Sequence, residues 1–523
     1  MSTYNLADLL EILAGAAPDR EALVAGDARL TYGELNARAA RLGHHLAEQG
    51  VRPGQQVAIL AWNRAEWLEA FFGIFKIRAV PVPVNYRYVA GELHHVLSDS
   101  DSVALIGERS LLQNVDRAKL PGLRHVVVLE DGGANEVPGA VEYEAALAAQ
   151  PDTDDFPERS GDDRYIMYTG GTTGYPKGVE WRSEDIFFGA LGGGNVLGDP
   201  IGSPEEIAKS ASADPSTTLD CAPVMHGAGQ WVAMMALFSG SRLVLYTDHA
   251  FDPARALELV EREKANVVMV VGDVMARPLA AELDKGGRDV SSILAIASGG
   301  APLTEVAKEE LKKHLPFVIF IDNYGASETG ACGPSVGGGG EGTARFQMKP
   351  GITVLDDELK PAAPGEVGRL ARSGNIPLGY YNDPAKTAST FFTDADGVRW
   401  SVPGDFAVRE EDGTIVLLGR GSLVINTGGE KVYPEEVEVA IKDHPGVYDV
   451  VVVGLPDERF GQRVAAVVAP EPGAELTLEG IVEHCRDRIA GYKLPRELQI
   501  VGEVQRTAVG KSDYKWARSV FGA

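Results

Sequence analysis

Residues 168–178 read Tyr-Thr-Gly-Gly-Thr-Thr-Gly-Tyr-Pro-Lys-Gly and combine the residue types that bind phosphate. They follow a short apolar run, 165–167, that is typical of the end of a strand. Glycines let backbone N–H groups turn toward an anion, threonine hydroxyls add donors, and Lys177 adds a positive charge. The segment therefore predicts a phosphate-binding loop. A flexible surface turn is the simpler alternative, and the Pro-Lys-Gly extension argues against it.

The loop does not match the Walker A pattern G-x-x-x-x-G-K-[ST], because no Ser or Thr follows Lys177. The hydroxyl that holds magnesium in a P-loop is therefore missing, and a metal ligand must come from elsewhere. A second block, 323–330, could supply it, since Glu328 offers a carboxylate and Tyr324 a ring that can stack on adenine. Within this block, residues 325–329 are not a G-x-S-x-G nucleophile elbow, because the fifth of them is Thr329 instead of glycine.

The bulk composition narrows the class of protein. The 523 residues exceed what one hydrophobic core organises, and 44% hydrophobic with 24% charged residues is ordinary for a soluble enzyme. A net charge of −26 argues against nucleic acid and anionic membranes as main partners. The three cysteines are too far apart in sequence for a disulfide framework or a zinc site, and the N-terminus has no secretory pattern. No apolar run is long enough for a transmembrane segment. We therefore expect a cytoplasmic location.

Strand-like and helix-like patterns alternate through most of the chain, which predicts an α/β fold. Thr31 with Glu34 forms a capping box at the start of a helix that runs to about Glu48. The sharpest boundary lies near Arg420. Beyond it, helices at 434–443 and 478–488 and strands at 447–454 and 463–468 suffice for a small α+β domain.

Taken together, these blocks resemble the adenylate-forming superfamily, which includes the acyl-CoA synthetases, and the resemblance covers nearly the whole chain. It implies an N-terminal domain, 1–420, of two α/β layered lobes plus a small β-barrel, which binds ATP and the acid substrate. It also implies a small mobile α+β lid domain, 421–523, that carries a catalytic lysine and a CoA-side loop.

The resemblance implies ATP contacts from the phosphate loop, from a strand-to-helix turn at 298–303, from the adenine block and from the end of the large domain. Asp405 would read the ribose hydroxyls, although Val402-Pro403 partly replaces the usual glycine before it. The implied metal ligand for Mg²⁺ is Glu328. The implied ATP-binding residues are Thr169, Gly170, Gly171, Thr172, Thr173, Gly174, Lys177, Ser298, Gly299, Gly300, Asn323, Tyr324, Gly325, Ser327, Asp405 and Arg420.

The same resemblance assigns the reacting groups. Catalytic roles fall to Lys511, Thr169 and His226, with Lys511 delivered by the lid and His226 gating the acid tunnel. A lone histidine would otherwise be structural more often than functional. Ser422 occupies the place of the usual hinge residue, so its hinge contacts are left open. The acid pocket is expected near His226, Trp231, Gly299 and Cys332, and the CoA tunnel near Gly428 and Gly429.

The expected reaction joins a small-molecule carboxylic acid to AMP, using Mg²⁺ and ATP, and then transfers the acyl group to CoA. The motifs look most like those of actinobacterial ligases for steroid side chains and other bulky hydrophobic or aromatic acids. One alternative is adenylation with another acceptor, such as a carrier protein, or activation of nitrite to diazotise an aryl amine. Another is a nucleotide-binding protein without chemistry. The sequence leaves the oligomeric state open, with a homodimer as one option.

Overall fold

The structure is a computed structural model that describes most of the chain; the described residues are 2–169, 175–195, 198–212, 214–300, 303, 305–334, 345–356, 358–420, 425–432, 434–442, 444–505 and 513–523. Within these ranges no helix is both long and apolar enough to cross a membrane.

The first lobe is built around a parallel sheet. Its strands run in the order β4-β3-β5-β6-β7. Strand β4 carries two prolines and lies at the sheet edge, because proline cannot donate a ladder hydrogen bond. The elements in this stretch of the chain are α1 (Leu6–Ala16), β1 (Glu21–Ala25), β2 (Ala28–Thr31), α2 (Tyr32–Glu48), β3 (Gln56–Leu60), α3 (Ala65–Lys76), β4 (Val80–Pro83), α4 (Ala90–Asp99), β5 (Ala104–Glu108), α5 (Arg109–Leu112), β6 (His125–Leu129), β7 (Val141–Glu142) and α6 (Tyr143–Ala148), with a 3-10 helix at Arg117–Lys119. Of these, β1 and β2 belong to the sheet of the second lobe.

The second lobe holds an eight-stranded sheet in the order β15-β14-β13-β12-β10-β11-β1-β2. Its inner strands are parallel, so their carboxyl ends lie at one edge, where ligands of open α/β sheets bind. The elements here are β8 (Arg164–Thr169), β9 (Lys177–Arg182), α7 (Ser183–Gly189), β10 (Thr217–Asp220), α8 (Gly227–Phe238), β11 (Arg242–Leu245), α9 (Pro253–Glu263), β12 (Val267–Val270), α10 (Gly272–Leu283), β13 (Ala295–Ser298), α11 (Glu305–Lys312), β14 (Ile319–Ala326) and β15 (Gly330–Pro334), with 3-10 helices at Gly192–Gly194 and Pro204–Ser212.

Where the sequence predicts a small barrel, the structure has an antiparallel sheet in the order β16-β23-β22-β18-β21-β20, with β17 beside β18. Strand β19 instead pairs with β9 and joins this region to the β8–β9 hairpin. The elements are β16 (Arg345–Gln347), β17 (Ile352–Leu355), β18 (Val367–Ser373), β19 (Gly379–Tyr380), α12 (Pro384–Thr390), β20 (Phe391–Thr393), β21 (Arg399–Ser401), β22 (Asp405–Arg409) and β23 (Thr414–Arg420).

The C-terminal part forms a sheet of its own in the order β25-β24-β27-β26, with β28 beside β27. Alternate valines of β26 enter two separate hydrophobic clusters, because successive strand side chains point to opposite faces. The helices and strands predicted here are present with slightly different ends: β24 (Ile425–Thr427), β25 (Glu430–Val432), α13 (Pro434–Lys442), β26 (Val447–Asp457), β27 (Gly461–Pro470), α14 (Leu478–Cys485), β28 (Glu497–Ile500) and α15 (Tyr514–Val520).

The predicted capping box at the start of α2 is confirmed. The Thr31 side chain accepts a hydrogen bond from the Glu34 backbone at 3.1 Å, and the Glu34 carboxylate accepts one from the Thr31 backbone at 2.8 Å.

We expect Thr31→Ala to lower the free energy of unfolding by about 1 kcal/mol, because the first turn of α2 loses its side-chain acceptor. Urea unfolding followed by circular dichroism measures this, and Thr31→Ser, which keeps the oxygen, serves as control. Equal stability of Thr31→Ala and the unchanged protein would contradict the role of the cap.

Candidate functional site

The predicted phosphate loop begins in β8 and ends in β9. Strands β8 and β9 pair antiparallel, with Thr169 directly opposite Lys177. Gly170, Gly171, Thr172, Thr173 and Gly174 lie outside the described residues. The register nevertheless brings the two described ends of the loop together, so Thr169 and Lys177 flank one turn.

Two contacts from α4 hold the second limb of this loop. The ring of His95 stacks on Tyr175 at 4.4 Å between centroids, and His95 Nε2 lies 3.1 Å from the carbonyl oxygen of Pro176. The ammonium of Lys177 forms an ion pair with Asp383, which also caps α12 by accepting from the Lys386 backbone at 2.8 Å. The cation predicted to meet phosphate is therefore already paired with a carboxylate in this structure.

The adenine block spans the end of β14, next to Ser298 at the end of β13. The hydroxyl of Tyr324 donates a hydrogen bond of 2.6 Å to Asp405 Oδ2, and the Asp405 side chain is buried. Strand pairing places Asp405 opposite Arg420, whose side chain lies outside the description. The structure thus brings together Tyr324 and Asp405, two residues that the sequence assigns separately to adenine and ribose.

The local structure favours glycine at positions 325 and 300. A Cβ on Gly325 would come within 2.6 Å of the Gly330 carbonyl oxygen, so the turn that carries Tyr324 tolerates no side chain there. Gly300 has φ +82°, a left-handed conformation that favours glycine.

Glu328 is buried at the meeting point of three sheets. Its carboxylate accepts a hydrogen bond of 2.9 Å from the Tyr380 hydroxyl, and its carbonyl accepts one of 2.6 Å from Ser401. The neighbouring Ser327 carbonyl accepts a 3.0 Å bond from the indole of Trp181. A single rigid carboxylate of this kind suits Mg²⁺, which takes one or two protein carboxylates and fills its remaining positions with phosphate oxygens and water.

His226 immediately precedes α8, and its Nε2 lies 3.3 Å from the carboxylate of Glu430 in β25. Glu430 also forms an ion pair with Arg87 of the first lobe. Burial alone would raise the pKa of Glu430, but the nearby His226, Arg87 and Lys493 outweigh it and hold the pKa at about 2. Glu430 is therefore a buried anion that links the C-terminal sheet to both lobes.

The glycine loop, Gly428–Gly429, directly precedes Glu430 and lies at the same interface between the C-terminal sheet and the lobes. Gly428 and Gly429 have φ values of +60° and +84°, and the Gly428 backbone donates to the Phe460 carbonyl at 3.0 Å. A Cβ on Gly428 would lie 3.9 Å from the side chain of Val274 in α10. The loop predicted to face CoA thus lies between Phe460 of its own domain and α10 of the second lobe.

The predicted acid-binding residues do not share one cluster. Gly299 faces Met269 and Ala228, which would lie 3.6 and 3.7 Å from an added Cβ. Trp231 packs in the main core, whereas Cys332 packs with the antiparallel sheet and lies 3.3 Å from Thr329 Oγ1. Gly299 therefore lies beside a distinct apolar cluster, formed by Ala222, Met269, Val271 and Ala297 with Ala228, Val232, Val267, Val274, Met275 and Ile321 against it.

Several residues at the site have no sequence motif of their own. Three of them are recognised only from their contacts with residues far away in the sequence: Arg87, Asp383 and Tyr380. Glu430 follows Gly428 and Gly429 directly in the sequence. Its charge is the one feature from which a functional contact could have been suspected. Lys511 and Ser422 lie outside the described residues, so their roles stay predictions.

Comparison with known proteins decides the family. Residues 10–381 match the family described as AMP-binding enzyme, and residues 436–511 match AMP-binding enzyme C-terminal domain. The chain belongs to the AMP-binding enzyme family. This confirms the predicted family. Similarity to solved AMP-binding enzymes confirms the α/β fold class: an o-succinylbenzoate CoA synthetase mutant from Bacillus subtilis, bound to a product analogue, has TM-score 0.81 and 25% identity, covering 98% of each chain. The ATP-bound MatB of Rhodopseudomonas palustris has TM-score 0.69 and 25% identity, covering 99% of each chain.

Curated AMP-binding enzymes match the chain along almost its whole length. A 3-oxocholest-4-en-26-oate–CoA ligase of Rhodococcus rhodochrous is 44% identical, covering 99% of this chain and 96% of the relative. A medium/long-chain-fatty-acid–CoA/3-oxocholest-4-en-26-oate–CoA ligase of Mycobacterium tuberculosis is 45% identical, covering 98% and 95%.

We expect Tyr324→Phe to raise the KM for ATP about 10- to 100-fold, since a hydrogen bond to a charged group contributes about 1.5–3 kcal/mol. The ring that can stack on adenine remains. Acid-dependent exchange between pyrophosphate and ATP measures the effect.

The matched control is Tyr448→Phe, because Tyr448 is exposed on the C-terminal sheet and should leave the KM unchanged. An unchanged KM in Tyr324→Phe would argue that the contact with Asp405 does not shape the nucleotide site.

Proposed function

We propose that the protein is an ATP-dependent acid–CoA ligase of the AMP-forming type. It would first join the carboxylate of an acid to AMP, releasing pyrophosphate, and then transfer the acyl group to the thiol of CoA, releasing AMP. The observation that carries this proposal is the meeting of the Gly428–Gly429–Glu430 loop with His226 across two domains. Such a contact brings an element of the C-terminal domain to the residue expected at the acid.

In the first step the acid carboxylate attacks the α-phosphorus of ATP. Tyr324 and Asp405 would hold adenine and ribose, and Lys177 would leave Asp383 to meet the phosphates. Glu328 would hold Mg²⁺, which neutralises charge on the phosphates. Lys511 would bridge the carboxylate and the transferring phosphoryl group, where negative charge builds up.

In the second step the thiol sulfur attacks the acyl carbon, the bond to AMP oxygen breaks, and the thiol proton leaves. The sheet of the C-terminal domain supports a rearrangement between the steps. Ile425 and Val432, beside the glycine loop, pack on one of its faces, while Val504 and Ala517, which flank Lys511 in sequence, pack on the other. We infer that the domain turns to present one face for each step. The domain limits 1–420 and 421–523 belong to this proposal.

The substrate class follows from the relatives and from the apolar cluster beside Gly299. Both relatives act on 3-oxocholest-4-en-26-oate, and one also on medium and long fatty acids, by their names. The cluster is made of alanine, valine, isoleucine and methionine, so it suits a hydrophobic acid, and the unbranched Met269 can adapt to rings. We therefore propose steroid side-chain acids or medium to long fatty acids. The three buried free cysteines fit the cytoplasmic location that we infer.

We expect such acids to support pyrophosphate exchange and CoA-dependent AMP formation, and Lys511→Ala to slow the exchange by at least about 100-fold. Lys285→Ala, which removes a surface lysine, serves as control and should change neither rate.

A broad acid panel without exchange in the unchanged protein would overturn the proposal. Nitrite-dependent loss of an aryl amine without CoA-dependent AMP formation would favour the diazotase alternative.

A further inference from the structure

A buried ion pair joins the C-terminal domain to the first lobe. The ammonium of Lys493, in the segment between α14 and β28, lies 2.7 Å from the carboxylate of Glu92 in α4. Each side chain is only 1% exposed. The two residues are 401 positions apart in sequence, so this contact depends on how the domains lie against each other.

Both partners make further contacts at the interface, and those of Lys493 come from both sides. The ammonium lies 5.5 Å from the ring centroid of Tyr88 in the first lobe and 5.7 Å from that of Tyr492. The second carboxylate oxygen of Glu92 accepts a 3.1 Å hydrogen bond from the Val89 backbone at the start of α4. The carboxylate of Glu92 is therefore oriented by its own helix, independently of the C-terminal domain.

The pair is adjacent to the contact between Glu430 and His226. Lys493 is close enough to Glu430 to help lower the pKa of that carboxyl, after the larger opposing effect of burial and the contributions of His226 and Arg87. The ion pair and the glycine loop therefore lie at the same interface between the C-terminal domain and the lobes.

We propose that Lys493 and Glu92 are positioning residues that select the domain orientation for the CoA step. The inference rests on the proposed function. When the C-terminal domain turns, the ion pair between Lys493 and Glu92 breaks and both charged groups become exposed to water. Removing one charge takes the closest opposite charge from its buried partner only in the orientation seen here, because breaking a buried ion pair on one side is strongly unfavourable. Either single change therefore disfavours this orientation and spares the other.

The test uses the full chain with Lys493→Met and Glu92→Gln. The glutamine keeps an oxygen for the Val89 backbone. Pyrophosphate exchange measures adenylation, and rapid mixing of CoA with preformed enzyme-bound acyl-adenylate measures acyl transfer. We expect each variant to slow acyl transfer by at least about tenfold, while exchange stays within about twofold of the unchanged enzyme.

The double variant separates coupling from general damage. Because it leaves neither charge unpaired, it should lose less than the product of the two single losses. Lys442→Met is the matched control, since it removes a lysine–carboxylate pair, to Asp449, that lies wholly within the C-terminal domain. It should alter neither half-reaction.

A measurement of domain orientation makes the test independent of activity. The native cysteines are buried, so spin labels can be attached selectively to Gln113→Cys in the large domain and Glu479→Cys on α14. Electron–electron resonance should show one dominant distance in the parent and a second population in Lys493→Met.

Three results would overturn the inference: equal losses in both half-reactions, independent effects in the double variant, or an unchanged distance distribution. If no acid supports pyrophosphate exchange in the parent, the proposed function fails. The spin-label distances then still test whether the ion pair sets the domain orientation.

Discussion

The hydrogen bond from Tyr324 to Asp405 connects the carboxyl edge of the eight-stranded sheet to the antiparallel sheet. Tyr324 comes from the first of these sheets and Asp405 from the second. Glu328 strengthens the same junction through Tyr380 and Ser401. The expected nucleotide site thus lies where two sheets meet, and the hairpin of β8 and β9 is tied to that junction because β9 pairs with β19, which contains Tyr380.

A second constraint is the acidity of the chain, whose net charge is −26. Three cations at the candidate site are each paired with a carboxylate in this structure: Lys177 with Asp383, Arg87 with Glu430 and Lys493 with Glu92. A polyanionic substrate that binds Lys177 would therefore compete with Asp383 for it. Competition of this kind lowers affinity but eases product release, which suits an enzyme that must let pyrophosphate and AMP leave.

The sequence predicts local features well, since their causes are local. The capping box at Thr31 and the elements of the C-terminal domain both follow from residues near each other in the chain. Contacts between distant residues are another matter. His226 and Glu430 are 204 positions apart, and no pattern in either segment predicts their meeting. Cys332, which the resemblance implies at the acid pocket, packs with the antiparallel sheet, and a contact of this kind depends on strand pairing between distant segments.

The C-terminal sheet has one further consequence. Its valines form two hydrophobic clusters that are separated by the sheet itself. Substitutions behind the glycine loop and substitutions behind the segment that leads to Lys511 therefore disturb different packing. Sequence changes in one cluster can therefore accumulate without altering the packing of the other.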